Sequence, residues 1–137
     1  MDMEFSHIEN PGDLPALVLA YVGDAVFELA VRSSLVAQGR LKVRQLHLET
    51  VAIVNATAQA DALRAIEGQL TEEERRIVRR GRNTKTSHAP RHAHVLDYHQ
   101  STGLECLVGY LYLKGERQRL DTILRTVLDK APVAPVE

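Results

Sequence analysis

At 137 residues, the chain suits one domain able to bury about two-thirds of the surface its unfolded form would expose. A single cysteine, Cys106, excludes an intrachain disulfide, a Cys-x-x-Cys redox pair and a zinc ribbon, which leaves it the role of a small buried hydrophobe. The formal charge of −1 hides an asymmetry: residues 75–96 hold seven cations and no acid, leaving −8 for the rest, so one segment can dock a polyanion while the remainder stays acidic.

Alanine and leucine dominate, aromatic residues are few, apolar positions recur at three and four, and no hairpin signal occurs, so an all-α fold is expected. Residues 1–13 read as an N-terminal extension and 14–130 as the folded domain. Asp13 before Leu14-Pro15 is a capped start with proline in the first turn, opening a helix of about twenty residues, roughly 30 Å long, that fades before Gly39. Leu17, Tyr21, Asp24 and Glu28 share one face of it. A second helical region runs over 43–66 to Gly68, with a bend or split expected near Val54-Asn55. Thr71-Glu72-Glu73-Glu74 is a capping box that starts a third helix ending by Gly81. Residues 82–92, with Pro90, read as a loop. Another helical stretch covers 94–113, with a candidate break at Ser101-Thr102-Gly103, and stops at Gly115. Leu120, Ile123, Leu124, Val127 and Leu128 then form the stripe of a final amphipathic helix. The tail 131–137, interrupted by Pro132 and Pro135, is expected to be disordered. No apolar run reaches the roughly 18 residues of a membrane span, and the acidic start Met1-Asp2-Met3-Glu4 is unlike a secretory signal, so a cytoplasmic protein is expected.

Two acids stand among apolar neighbours: Asp24 within Ala20-Tyr21-Val22-Gly23-Asp24-Ala25-Val26-Phe27, and Glu105 within the run from Leu104 to Leu113. Tyr98, Thr102, Glu105, Gly109 and Tyr112 share a helical face. If that face meets the one carrying Tyr21 and Asp24, the two acids approach each other in the core. Like charges about 5 Å apart repel by roughly 3 kcal/mol at an effective dielectric near 20. A divalent cation such as Mg2+ removes the conflict, and so do salt bridges or a path to solvent; spacing alone does not choose between them.

Arg75, Arg76, Arg79 and Arg80 gather toward one side of the third helix. Arg79, Arg80, Arg82, Asn83, Lys85, Thr86, Ser87 and Arg91 offer donors for the phosphates and 2′-hydroxyls of RNA, with a solvated basic face paired to Glu72, Glu73 and Glu74 as the plainer alternative. Arg44 and His47 are weaker candidates for RNA contact. His88, His92 and His94 lie beside Pro90 without cysteine partners, a poor zinc set, and their role is left open.

At these residues the sequence resembles the ribonuclease III family. Leu17 to Glu28 looks like its signature helix and Leu104 to Leu113 like its second acidic helix. With no double-stranded-RNA-binding domain, and with Arg79-Arg80-Gly81-Arg82-Asn83-Thr84-Lys85 after a Thr-Glu-Glu-Glu start, the chain is similar to the short bacterial form, Mini-ribonuclease III, over roughly Leu14 to Leu128. The resemblance implies an all-α, homodimeric endoribonuclease that cuts double-stranded RNA to 5′-phosphate and 3′-hydroxyl ends, in the maturation of ribosomal RNA (23S) precursors. It makes Asp24 and Glu105 the catalytic acids that bind Mg2+, with Mn2+ as a substitute. Where the larger family has acids, this chain has Leu17, Ala20 and Thr102, so Thr102, water or substrate oxygens are expected to complete the metal shell. Tyr21 either orients Asp24 or packs in the core, and the core is the expected place. The alternative is a non-catalytic, dimeric RNA-binding module whose reduced acid set no longer holds metal.

Overall fold

Pro15, rather than Asp13, precedes the first helix. Asp13 closes a 3-10 turn over Pro11–Asp13, and α1 then runs over Ala16–Ala37 without a side-chain cap. The computed structural model describes residues 8–84 and 94–129, and no strand occurs among them. The other helices are α2 (Val43–Ile53), α3 (Ala56–Ile66), α4 (Glu72–Arg82), α5 (Val95–Lys114) and α6 (Arg117–Asp129). None of them is long and apolar enough to cross a membrane. The tail 131–137 lies outside the described residues.

The expected split of 43–66 occurs where Asn55 serves both helices at once. Its amide donates to the Val51 and Ala52 carbonyls at 2.9 and 3.0 Å, and its carbonyl oxygen accepts from the Ala58 N–H at 2.9 Å. The end of α2 and the start of α3 are thereby satisfied by one side chain. The capping box forms as expected: the Thr71 hydroxyl accepts from the Glu74 N–H at 3.1 Å and the Glu74 carboxylate from the Thr71 N–H at 2.9 Å. Glu74 is buried and also receives two 2.7 Å bonds from Arg119 of α6. Burial pushes its pKa up, but the Arg119 and Thr71 bonds outweigh that and hold it below the usual carboxylate range. A second buried ion pair, Arg40 to Glu49 at 2.6 Å, fastens the corner between α1 and α2.

The candidate break in α5 is absent. Both hydroxyls expected to weaken it donate to the Tyr98 carbonyl, Ser101 at 2.8 Å and Thr102 at 3.0 Å, so their polar groups are satisfied inside the helix. Gly103 serves a crossing: a Cβ there would lie 2.9 Å from the Val78 carbonyl oxygen, and one on Gly81 would lie 2.7 Å from the Gly103 Cα. Thus α5 is the central helix, packed chiefly against α1, then α4 and α3. Leu104, Leu107 and Val108 meet Leu19, Phe27, Val31, Leu63, Ile77 and Ile123 in the core. Tyr110 and Leu111 are buried in this core.

The tightest crossing is between α1 and α5. A Cβ on Gly23 would fall 1.7 Å from the Glu105 carbonyl oxygen, and one on Gly109 would fall 2.0 Å from the Leu19 carbonyl oxygen. Because the obstructing atoms are backbone, no side-chain adjustment makes room. Gly109→Ala is therefore expected to destabilise the protein by at least about 3 kcal/mol in urea unfolding. Gly68→Ala, where nothing lies within 4 Å and φ is not positive, should stay within about 1 kcal/mol of the parent.

Candidate active site

The glycine crossing puts the residue after Gly23 against the residue whose carbonyl Gly23 touches. Those residues are Asp24 and Glu105. From Ser101 to Leu111 every residue except Glu105 is buried, so α5 has one polar opening in an eleven-residue apolar stretch. Asp24 occupies that opening. It is exposed, which corrects the expectation of an acid sealed in the core: α1 carries it along the rim, and only Glu105 is drawn inward.

Burial pushes the Glu105 carboxyl up to about 8, and a hydrogen bond to Asp24 together with the Asp24 charge add to the effect. At neutral pH, without a cation, Glu105 therefore holds a proton and donates it to its neighbour. This is the state expected of two carboxylates that cannot both be charged side by side. The oxygen-only donor set and the unresolved negative charge suit a hard divalent ion. Among the described residues no group of three or more His, Cys, Asp or Glu side chains converges.

The positions where the larger family carries further acids are now placed. Ala20 is buried and Leu17 is about half exposed. Thr102 is buried, and its hydroxyl proton is committed to the Tyr98 carbonyl, which leaves only its lone pairs for any other partner. Tyr21, expected in the core, is 81 % exposed: two residues before Gly23 its side chain leaves α1 toward solvent. Cys106, next to Glu105, is buried and donates to the Ala16 carbonyl at 3.0 Å; burial raises its pKa to about 11, with the Glu105 charge adding to the shift, so it remains an inert thiol.

The basic residues separate. Arg79 is exposed and lies 3.5 Å from Glu72. Arg82 is paired with Glu67 at 3.2 Å, and Asn83 is exposed at the end of α4. Arg80 is drawn inward: its guanidinium donates to the Gly12 carbonyl at 2.6 Å and the Leu14 carbonyl at 2.5 Å, tying the segment before α1 to α4. Its spacing in sequence could not distinguish this strap from a nucleic-acid contact. Lys85, Thr86, Ser87 and Arg91, together with His88 and His92, lie outside the described residues. His94 is exposed just before α5, and Arg44 and His47 are exposed on α2. Sequence reasoning did not find the role of Gly23 and Gly109; two glycines beside two acids on different helices were the available signal.

Residues 17–116 match the family described as Ribonuclease III domain. The chain is 47% identical over 122 residues to Mini-ribonuclease 3 of Symbiobacterium thermophilum, spanning 89% of this chain and 94% of that one. It is 50% identical over 111 residues to Mini-ribonuclease 3 of Thermoanaerobacter sp., covering 81% and 78% of the two chains. A crystal structure of a Fusobacterium nucleatum protein superposes with a TM-score of 0.79 at 31% identity, covering 89% of this chain and 98% of the other.

The raised pKa of Glu105 has a signed consequence for stability. The folded chain keeps this proton between the ordinary value of 4.5 and about 8 while the unfolded chain releases it. The stabilisation is full below the lower value and lost as pH rises through the upper one. In chelator, thermal unfolding should show a decline on the order of 5 kcal/mol across that window. The decline should be missing in Glu105→Gln and relieved by Mg2+ in the parent protein.

Proposed function

We propose that this chain, which belongs to the ribonuclease III family and is an endoribonuclease of that type, cuts double-stranded RNA with Asp24 and Glu105 as its metal-holding centre. The observation that carries this is the apposition of the two carboxyls at the α1–α5 crossing, with Glu105 held protonated by burial and by the facing Asp24. A divalent ion, Mg2+ with Mn2+ as a substitute, would supply Lewis-acid polarisation of the scissile phosphate and an activated water when bound. Asp24 on the rim and Glu105 in the opening would hold that ion, with Glu105 in its deprotonated form. The apolar wall around Glu105 strengthens this electrostatic coupling by excluding water. The products carry 5′-phosphate and 3′-hydroxyl ends.

Arg79, Arg82 and Asn83, continued by Lys85, Thr86, Ser87 and Arg91, present donors to the RNA backbone. A-form duplexes hide their base edges in a narrow groove, so docking follows shape more than sequence. Homodimerisation is supported by the apolar residues that α1 leaves at the surface, Leu17, Val18 and Tyr21; two copies bring one centre to each strand. A ribosomal RNA (23S) precursor in the cytoplasm is the substrate that the resemblance to the short bacterial form favours.

Cleavage of a labelled RNA duplex in Mg2+ tests the assignment. Asp24→Asn and Glu105→Gln should each lower the rate beyond the roughly 10–100-fold typical of outer-shell changes at a metal centre. Both should bind the duplex nearly as the parent does. Parental cleavage rates from either variant would show that the pair is not the centre.

A further inference from the structure

The cations of α4 face two different surroundings. On one side, Arg75, Arg79 and Arg82 line a hollow that also contains Glu67. There Arg82 is held by the Glu67 carboxylate at 3.2 Å, and Arg75 donates to the Glu67 carbonyl at 3.4 Å. On the other side, Arg76, Arg79, Arg80, Asn83 and Thr84 line an open cleft against Ala16, the first residue of α1, and no carboxylate lines it.

Inside this second cleft the donors are unequally committed. Arg80 is spent on the Gly12 and Leu14 carbonyls, and the Thr84 hydroxyl donates to the Arg80 carbonyl at 2.8 Å. Arg79 is tied only to the largely exposed Glu72, at 3.5 Å, a pairing of small worth in water. Arg76 is exposed, holds no ion pair among the described residues, and acts on Glu73 only through space. Positions 76, 79 and 83 fall on one helical face, so the uncommitted Arg76 guanidinium, the weakly held Arg79 guanidinium and the Asn83 amide line one concave site with a net positive charge. Guanidinium forks match phosphate oxygens in charge and geometry.

We propose that this cleft is a subsite for one internucleotide phosphate of the RNA strand, held by Arg76 and Arg79 with Asn83, and that Glu72 competes with that phosphate for Arg79. The assignment rests on the RNA reading given above. Ala16 precedes Asp24 by eight residues, about 12 Å along the α1 axis, so the phosphate held here is distinct from the one being cut.

Duplex RNA binding by the full chain, measured in chelator across a salt series, tests the subsite. Arg76→Ala should weaken binding about three- to tenfold near physiological salt and lower the salt slope by about one phosphate. Arg76→Lys, which keeps the charge, should retain the slope. Glu72→Gln should tighten binding about twofold, and Arg75→Ala on the other side should change neither quantity. An Arg76→Ala protein with the affinity and slope of the parent, in a chain that does bind RNA, would overturn the subsite and leave the RNA reading standing. A parent chain that binds no duplex at any salt would overturn both.

Discussion

Backbone contact between Gly23 of α1 and Gly109 of α5 is the constraint on which the rest of this structure depends. Neither position has room for a Cβ, because each faces a carbonyl oxygen of the other helix. Helices that usually pack 8–10 Å apart are held closer by such a contact. The residue beside the contact on α1 is Asp24, and the α5 residue whose carbonyl Gly23 meets is Glu105. The acid pair is therefore placed by packing, and the hydrogen bond between Glu105 and Asp24 forms within that geometry. The remainder of the α5 surface is closed by the same means at Gly81 and Gly103, and by hydroxyls that bond to their own helix.

Charge is distributed to support that geometry. Among the described residues Glu105 stands apart: burial first, and then the facing Asp24, raise its pKa and keep its carboxyl protonated. Elsewhere acids are satisfied: Glu74 by Arg119, Glu49 by Arg40, and Glu73 by the Tyr110 hydroxyl and by Lys114 at 3.1 Å. Removing the partner of buried Glu74 or of buried Arg40 is far more costly than an exposed pair is worth. The contrast separates scaffold from candidate site: paired acids hold helices together, whereas Glu105 faces another acid.

Much of this was legible in the sequence where a feature is local. The Thr71 capping box, the turn at Asn55, the left-handed Gly115 and the stripe of α6 depend on neighbours within four residues, and the structure places them where the pattern indicates. The two acids were marked by their apolar surroundings and by the motifs around them. What a one-dimensional pattern could not show was direction. Asp24 and Tyr21 lie on a helix face that reads as apolar yet meets solvent, and Arg80 has the spacing of its exposed neighbours yet turns inward to two carbonyls. The hydroxyls of Ser101 and Thr102 suggested a break because helix propensity takes no account of a buried setting in which bonding within the helix is the only recourse.

The state of Glu105 is the most direct measure of whether this crossing builds a cation site. A carbon NMR titration of its side-chain carboxyl, first in chelator and then in Mg2+, reads that state. Expected is a midpoint near 8 without metal and an ionised carboxylate at neutral pH once Mg2+ is added. An ordinary carboxylate midpoint near 4.5 in both conditions would contradict it.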